Sequence, residues 1–234
     1  MAPQNEAFRG RARNFARSAR SLAGARAAHR LIRDASRGPV TAEPSSYLAL
    51  VRALASDCDS VIDVGTGKMQ SLELSPCRVK IGVEAHRPYL EHRTVAGAVP
   101  VNVDALGLSA IFVPGAVDLV TMMDVIEHLE PDDASEVLRQ IEEIAAKRVV
   151  IATPRGFFEQ EAHDVFEAGL GGEELQAHRS GWEVEDFTKR GYRVAIIEGF
   201  HGASNAAFQR AYDEDAAPID GIVAWKDAGS IRPG

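Results

Sequence analysis

The sequence predicts an α/β fold: a mostly parallel sheet of seven strands, with helices on both faces and an antiparallel pair of strands at one edge. Apolar, β-branched runs recur along the chain from residue 60. Helix-like or irregular stretches separate the first five of these runs. Strands that alternate with helices are joined by right-handed crossovers, which make neighbouring strands parallel and place helices on both faces.

Seven segments have the composition of buried strands, because each is short, apolar and rich in β-branched residues. They are VIDV (61–64), VKIGVEA (79–85), VPVNVDA (99–105), VDLVTMM (117–123), RVVIAT (148–153), RVAIIEGF (193–200) and IDGIVAW (219–225). No comparable helical stretch separates the last two, so we expect them to form the antiparallel pair.

Two segments outside the predicted strands have the pattern of amphipathic helices. PDDASEVLRQIEEIAA at 131–146 opens with Pro131 and two aspartates, which suit a first helical turn, and its apolar residues recur on one face. YLALVRALAS at 47–56 is also amphipathic and follows a stretch of turn-forming residues at 36–46.

The charge of the chain is divided unevenly along its length. The 234 residues carry a net charge of −8, but residues 1–40 hold nine arginines and a net +7, which leaves −15 for the remainder. We therefore predict a basic N-terminal arm over residues 1–40, which is helical and amphipathic, and one domain over residues 41–234. Three interpretations of the arm stay open: a helix packed on its own domain, a contact with a partner or an anionic surface, or a targeting segment.

Composition excludes several classes of protein. Two cysteines, Cys58 and Cys77, are too few for a disulfide framework or a four-cysteine zinc site, and no apolar run reaches the roughly 20 residues that span a bilayer. No apolar stretch near the start resembles a secretory signal. We therefore expect a soluble cytoplasmic protein with no metal site.

Acidic residues end four successive predicted strands, at Asp63, Glu84, Asp104 and Asp124. Ligands of open parallel sheets bind beyond the carboxyl ends of the strands, so these acids are candidates for a binding site. Asp63 leads into Gly65-Thr66-Gly67, where missing side chains let backbone amides approach a ligand. The alternative is that these are ordinary solvated acids without a binding role. That alternative explains a single acid at a strand end better than it explains acids at successive strand ends in register.

The pattern favours an adenosine-containing cofactor that has no pyrophosphate. Glu84 can accept two hydrogen bonds from the vicinal hydroxyls of a ribose, and Asp104 can accept one from an adenine amine. A dinucleotide loop would need a glycine at Gln70, and a phosphate-binding P-loop would need a serine or threonine after Lys68. An acidic pocket repels phosphates and attracts a cationic cofactor.

Five motifs carry a resemblance to a known family: VIDVGTG, IGVEAHRPYL, VNVDA, VDLVTMMDVIEHLEP and RVVIATPRGFF. The series resembles the consecutive motifs of class I S-adenosylmethionine-dependent methyltransferases, which have a Rossmann-like fold, over roughly residues 58–226. The EHL sequence is similar to the type 11/12 branch, whose members mostly methylate small molecules. TPRGFFEQ at 153–160 and HRSGWEVEDFTKRGYRV from His178 resemble a subgroup of bacterial methyltransferases.

The resemblance implies S-adenosylmethionine as the cofactor and gives each matched segment a role. It implies that the glycine-rich loop contacts the methionine part, that the end of the second strand binds the ribose, and that the end of the third lies beside the adenine. The matching residues are Asp63, Gly65, Thr66, Gly67, Glu84, Ala85, Asp104, Ala105 and Asp124, of which the last begins the segment that lines the methyl-transfer site. Met69 departs from the family, which often has a third glycine at this position.

Asp124 and His128 are the candidate catalytic residues. Methyl transfer is an in-line displacement, so the protein mainly positions the acceptor, excludes water and, where needed, removes a proton. His128 is close enough to the expected methyl group to act as a base or to orient the acceptor. Alternatively, it only hydrogen-bonds the loop after the fourth strand.

A polar, glycine-containing insertion at about 155–185 is the candidate lid over the acceptor. The candidate substrate residues are His128, Gln160, His163, His178 and Trp182. The alternative is a surface loop that His178 or Trp182 packs against the domain.

The sequence thus predicts an S-adenosylmethionine-dependent methyltransferase that acts on a small molecule, with oxygen as the expected acceptor atom. An RNA or DNA methyltransferase that uses the arginine-rich arm is one alternative, which the acidic body and the missing Asn/Asp-Pro-Pro-aromatic signature oppose. A non-catalytic cofactor-binding scaffold is another. A nicotinamide oxidoreductase is the third, and Gln70 argues against it.

Overall fold

The computed structural model describes residues 22–73, 75–161, 169–202, 208–209, 212–213 and 215–230. Its α-helices are α1 (Leu22–Asp34), α2 (Tyr47–Leu54), α3 (Arg87–Glu91), α4 (Leu108–Ile111), α5 (Pro131–Ile144) and α6 (Val184–Thr188). Its strands are β1 (Val40–Ala42), β2 (Ser60–Val64), β3 (Val79–Glu84), β4 (Val99–Asn102), β5 (Val117–Met123), β6 (Ala145–Pro154), β7 (Arg193–His201) and β8 (Ile219–Asp227).

The strands form one eight-stranded sheet in the order β1-β7-β8-β6-β5-β2-β3-β4. Every neighbouring pair is parallel except β6 with β8 and β7 with β8. The α/β class, the mostly parallel sheet and the antiparallel pair of the last two strands are confirmed. The strand that the sequence did not predict is β1, which pairs with β7 through Val40 and Ala195.

Helices cover both faces of the sheet, and the side chains of each strand alternate between two apolar layers. On β2, Ile62 and Val64 belong to the layer under α5, whereas Val61 belongs to the layer under α2. Both layers are almost completely buried, so burial on two faces explains why the central strands are continuous apolar runs.

The helix α5 begins at Pro131, as predicted, and buries its periodic apolar face against the sheet. It ends at Ile144, two residues before the predicted end, because Ala145 already belongs to β6. Propensity alone extends the helix too far, since alanine favours helices and is depleted in strands, and Ala145 joins β6 only through its pairing with Val117 of β5.

The part of the predicted arm that the structure describes packs on the domain. Helix α1 lies against α2, where Ala28 and Ala49 are buried together. Residues 1–21, with most of the periodic pattern of the arm, lie outside the described residues. None of the helices in the described part of the chain combines the length and the hydrophobicity that crossing a membrane requires.

Candidate functional site

Asp63 lies in β2, one residue before the end of the strand, and is buried inside the protein. Its side chain is 1% exposed and accepts hydrogen bonds from the hydroxyls of Thr121, at 2.5 Å, and Ser71. Burial raises the pKa of this carboxyl, and the hydroxyl donors oppose the shift. Asp63 therefore ties the loop after β2 to strand β5.

The glycine loop after β2 is held against the neighbouring elements of the site. Gly65 has a φ of +66°, and a Cβ at this position would lie 2.4 Å from Val125 Cγ2, so only glycine fits. Gly67 also has a positive φ of +53°. The amide of Thr66 donates to the carbonyl of Val83 at 3.0 Å, which fixes the loop beside β3.

Met69 occupies the place where the family often has a third glycine. Its φ is +68°, so the backbone keeps the left-handed conformation that favours glycine. Its side chain is fully buried, and a Cβ at Gly82 would lie 2.5 Å from Met69 Cε. The methionine thus retains the turn and fills the core beneath it.

Glu84 connects the end of β3 to the glycine loop. One carboxylate oxygen accepts a hydrogen bond from the Gly67 amide at 2.9 Å, and the other accepts one from the His86 amide at 2.8 Å. Burial raises the pKa of this carboxyl, although the two amides lower it. The side-chain amide of Asn102 donates to the carbonyls of Glu84 and Ala85, at 2.8 Å each, and holds the strand end in place.

Asp104 lies beyond the end of β4, which is next to β3 in the sheet. Its carboxylate accepts a hydrogen bond from the Leu106 amide at 2.8 Å and so caps the 3-10 turn Ala105–Gly107. The loop after β2, Glu84 and Asp104 therefore follow one another across three adjacent strand ends, in the order that the sequence predicts.

Asp124 follows β5 in a strained conformation. Its φ is +53°, which is uncommon for a residue other than glycine and occurs often at functional sites. The side chain is accessible to solvent, yet the protein around it removes enough water to raise its pKa to about 6. Its amide donates to the carbonyl of Ala152 at 2.9 Å, which fixes the turn against β6.

A narrow crevice lies beside Asp124. It is lined by Tyr47, Asp124, Ala152, Thr153, Ile197, Phe200, His201, Gly221 and Ile222. The sequence did not single out Tyr47, Thr153 or His201, because each stands on a separate element and resembles an ordinary residue of an apolar helix or strand. The carboxylate of Asp124 and the buried His201 imidazole give the crevice polar groups in an otherwise apolar wall.

Three side chains meet next to this crevice: Glu127, His128 and His178. Their potential ligand atoms all lie within 4.8 Å of one another, and the two imidazole rings have centroids 4.7 Å apart. Burial lowers the pKa of His128 to about 4, so its imidazole is neutral at pH 7. The structure thus brings the predicted residues His128 and His178 together, and it adds Glu127.

The described ends of the insertion hold His178 in place. The side-chain amide of Gln160 donates to the carbonyl of Gln176 at 2.7 Å, and the His178 amide donates to the carbonyl of Gln160 at 2.9 Å. Gln160 therefore lies near His178, whereas the predicted residue His163 lies outside the described residues. Trp182 is 7% exposed, packs in the core against Phe187, and donates a hydrogen bond from its indole to the Ser180 hydroxyl at 2.9 Å.

The glycine-rich turn at 170–172 reaches the end of β3. The Nε2 atom of His86 lies 2.8 Å from the carbonyl oxygen of Leu170, and the Tyr89 hydroxyl donates to the carbonyl of Gly171 at 3.2 Å. The insertion therefore contacts the segment after Glu84 with one turn and the segment after Asp124 with another.

Solved structures share this arrangement of strands and helices. An S-adenosylmethionine-dependent methyltransferase from Archaeoglobus fulgidus is 18% identical, covers 79% of this chain and 94% of its own, and superimposes with a TM-score of 0.50. The chain has the class I methyltransferase fold.

Two further structures with this fold come from bacteria. The YcgJ protein of Bacillus subtilis is 13% identical, with coverage of 77% of this chain and 97% of that chain and a TM-score of 0.51. An S-adenosylmethionine-dependent methyltransferase from Mesorhizobium loti is 13% identical. The match covers 79% of this chain and 97% of that chain, with a TM-score of 0.50. No family model and no curated protein matches the sequence.

Proposed function

We propose that this chain is an S-adenosylmethionine-dependent methyltransferase that acts on an oxygen atom of a small molecule. The observation that carries the proposal is the position of Glu84, whose carboxylate is bonded to the amide of Gly67 in the glycine loop. This contact joins the glycine loop to the acid that we assign to the ribose, and Asp104 follows the neighbouring strand β4. Two solved structures with the same fold, from Archaeoglobus fulgidus and Mesorhizobium loti, are S-adenosylmethionine-dependent methyltransferases, which supports the same cofactor.

The residues present fit the cofactor. Each oxygen of a carboxylate has two lone pairs, and the amides of Gly67 and His86 use one on each oxygen of Glu84. The remaining lone pairs suit the two hydroxyls of a ribose. Asp104 uses one oxygen to cap the Ala105–Gly107 turn, which leaves the other oxygen for an adenine amine.

The cofactor supplies an electrophilic methyl group on a sulfonium ion. The carboxylate of Asp124 adds negative charge to this end of the site, which favours a cationic cofactor over a phosphate-bearing one. Tyr47, Thr153 and Phe200 line the crevice beside Asp124, where their packing leaves no room for a water molecule.

Titration calorimetry with S-adenosylmethionine tests the proposal. We expect the wild-type chain to bind one equivalent and Glu84→Ala to bind at least about tenfold more weakly, because a charged hydrogen-bond acceptor is lost. Glu143→Ala is the matched control, since Glu143 is an exposed acid that pairs with Arg139 on helix α5. If the wild type does not bind the cofactor, the methyltransferase proposal is wrong, and if Glu84→Ala binds as tightly as wild type, the assignment of the ribose site is wrong.

Turnover is tested separately by measuring S-adenosylhomocysteine release with a panel of hydroxylated small molecules. A methyltransferase of this kind releases the product with at least one acceptor. Tight cofactor binding without release in the presence of any acceptor would support the non-catalytic scaffold instead.

A further inference from the structure

We propose that Glu127, His128 and His178 form a binding site for one divalent first-row transition metal ion, such as Mn²⁺, Co²⁺ or Zn²⁺. The sequence did not predict a metal site, because the three residues stand in segments about 50 positions apart and lack a metal-binding spacing. The structure brings them together, with potential ligand atoms within 4.8 Å of one another.

The hydrogen bonds of the two histidines fix the tautomer that a metal needs. His128 Nδ1 lies 3.2 Å from the carbonyl oxygen of Ala177, and His178 Nδ1 lies 2.5 Å from that of Phe158. A carbonyl oxygen only accepts hydrogen bonds, so Nδ1 is the protonated nitrogen in both rings. The lone pair of each ring is therefore on Nε2, which is the arrangement that metal-binding histidines adopt in proteins.

The third ligand, Glu127, is also oriented by a hydrogen bond. Glu127 is 3% exposed, and one of its carboxylate oxygens accepts a hydrogen bond from the Thr153 hydroxyl at 2.9 Å. No lysine or arginine in the described part of the chain forms an ion pair with this buried acid. A bound cation would compensate a charge that is costly to leave unpaired inside a protein.

Backbone hydrogen bonds hold the two ligand-bearing segments together. The carbonyl of Glu127 accepts from the amides of Arg179, at 2.7 Å, and Ser180, at 3.0 Å. The Ser180 hydroxyl also donates to the carbonyl of Ile126 at 3.2 Å. The segment with His178 is thus fixed on the turn that carries Glu127 and His128, so the geometry of the cluster does not depend on long side chains alone.

The donor set decides the class of metal. Two imidazole nitrogens and one carboxylate oxygen suit zinc, cobalt, manganese and iron, whereas magnesium and calcium prefer oxygen ligands only. Ligand atoms bound to one such ion at about 2.1 Å lie about 3.4 Å apart, so side chains whose ligand atoms lie up to 4.8 Å apart have to approach one another by up to about 1.4 Å. Three protein ligands leave at least one coordination position open.

The open position gives the site a role that rests on the proposed function. Glu127 and His128 follow Asp124, the residue expected to begin the segment that lines the methyl-transfer site. A metal held by these residues would bind an oxygen atom of the acceptor and orient it beside Asp124, which is one of the known roles of metal ions in enzymes.

Spectroscopic titration with Co²⁺ tests the site, because cobalt bound to histidine nitrogens has visible absorption bands. The chain is prepared without a histidine tag and treated with a chelator before the titration. We expect the wild type to bind one equivalent. His178→Gln and Glu127→Gln should each bind at least about tenfold more weakly, since each loses a ligand while keeping a polar side chain.

His92→Gln is the matched control. His92 Nδ1 also lies 2.9 Å from a backbone carbonyl oxygen, that of Pro88, but His92 is exposed and lies outside the cluster. This variant should bind Co²⁺ as tightly as the wild type. A cooperative thermal melt of each metal-free variant shows that it is folded, and His128→Gln replaces any variant that is not.

Two results would overturn the proposal. One is a wild type that binds no stoichiometric Co²⁺, Mn²⁺ or Zn²⁺. The other is unchanged binding in the folded ligand variants, because the ions would then be held by other acids of this negatively charged chain. Failure of this site is distinguishable from failure of the proposed function, because cobalt binding and S-adenosylmethionine binding are measured independently.

Discussion

At the scale of single residues, the site contains two strained positions that are not glycine. Met69 and Asp124 both have positive φ angles, of +68° and +53°. Such conformations cost roughly 1–3 kcal/mol each and persist only where surrounding contacts hold them. At Met69 those contacts come from the buried side chain, and at Asp124 from the bond between its amide and the carbonyl of Ala152.

The strain at Met69 predicts an unusual order of stability. Met69→Ala and Met69→Gly both lose the buried side chain, which destabilises a protein by about 2–5 kcal/mol. Glycine, however, adopts a positive φ without strain, so we expect Met69→Gly to be more stable than Met69→Ala by about 1 kcal/mol. Urea unfolding followed by circular dichroism measures the difference.

Met122 provides the matched control for this prediction. It is also fully buried, but it lies in the regular strand β5, where no positive φ is found. There the alanine variant should be more stable than the glycine variant, because glycine in a strand loses more conformational entropy. If the alanine variant is the more stable one at both positions, the backbone at Met69 is not strained.

Residue types at strand ends could be predicted from the sequence, but their surroundings could not. Glu84 and Asp104 were identified because each ends an apolar run, and parallel strands bring such ends to one edge. The partners of Asp63 are Ser71 and Thr121, and a partner such as Thr121, 58 residues away, leaves no pattern in a single sequence. Glu127 was missed for the same reason, since its meeting with His178 depends on how the insertion folds back.

At the scale of elements, the insertion after β6 connects two parts of the site. The turn at 170–172 contacts His86 and Tyr89 beside Glu84, whereas the segment at 178–180 is bonded to the Glu127 backbone. The described parts of the insertion thus contact the segments that follow both Glu84 and Asp124. Its role as a lid stays a prediction.

Gly172→Ala should release the turn from His86. Gly172 has a φ of +89°, and a Cβ at this position would lie 3.0 Å from the His86 ring, so the variant strains the backbone and displaces the ring. We expect amide hydrogen exchange of the peptide over residues 84–91 to increase, because a contact that protects it is weakened. Mass spectrometry of the exchanged, digested protein measures this change.

Gly169→Ala is the matched control, because it adds backbone strain to the same turn without a contact with His86. Gly169 has a similar φ of +87°, but a Cβ there would have no neighbour within 4 Å. Its variant should leave exchange over residues 84–91 unchanged. Equal increases in the two variants would mean that the turn does not act through His86.

The elements themselves were more predictable than their limits. The seven predicted strands were long apolar runs, and a run buried on both faces is a strong signal. Strand β1 has only three residues within a turn-forming stretch, and it exists because it pairs with β7, which is a tertiary contact. Such short edge strands have too little sequence to be distinguished from a loop.

At the scale of the whole molecule, the predicted boundary between the arm and the domain falls inside a packed region. The sequence suggested an arm over residues 1–40 because the net charge changes sign there. In the structure, α1 lies against α2, Ala35 belongs to the core layer, and Val40 pairs with β7. Charge marks the solvated faces of a helix and says little about which face is buried, so we propose that residues 22–42 are part of the folded domain.

Two truncations test where the domain begins. Removal of residues 1–40 deletes α1 with its buried residue Ala28 and the buried Ala35 that follows it, whereas removal of residues 1–21 keeps them. We expect the shorter of the two chains to melt at least about 5 °C below the longer one, because lost core packing of a few kcal/mol lowers Tm by about 2–4 °C per kcal/mol in a chain of this size. Equal melting temperatures would place the boundary near residue 40, as the charge pattern suggests. The longer chain is then also the appropriate one for testing whether the five arginines of residues 1–21 bind an anionic partner, because any salt-dependent binding that it loses cannot be attributed to damage of the core.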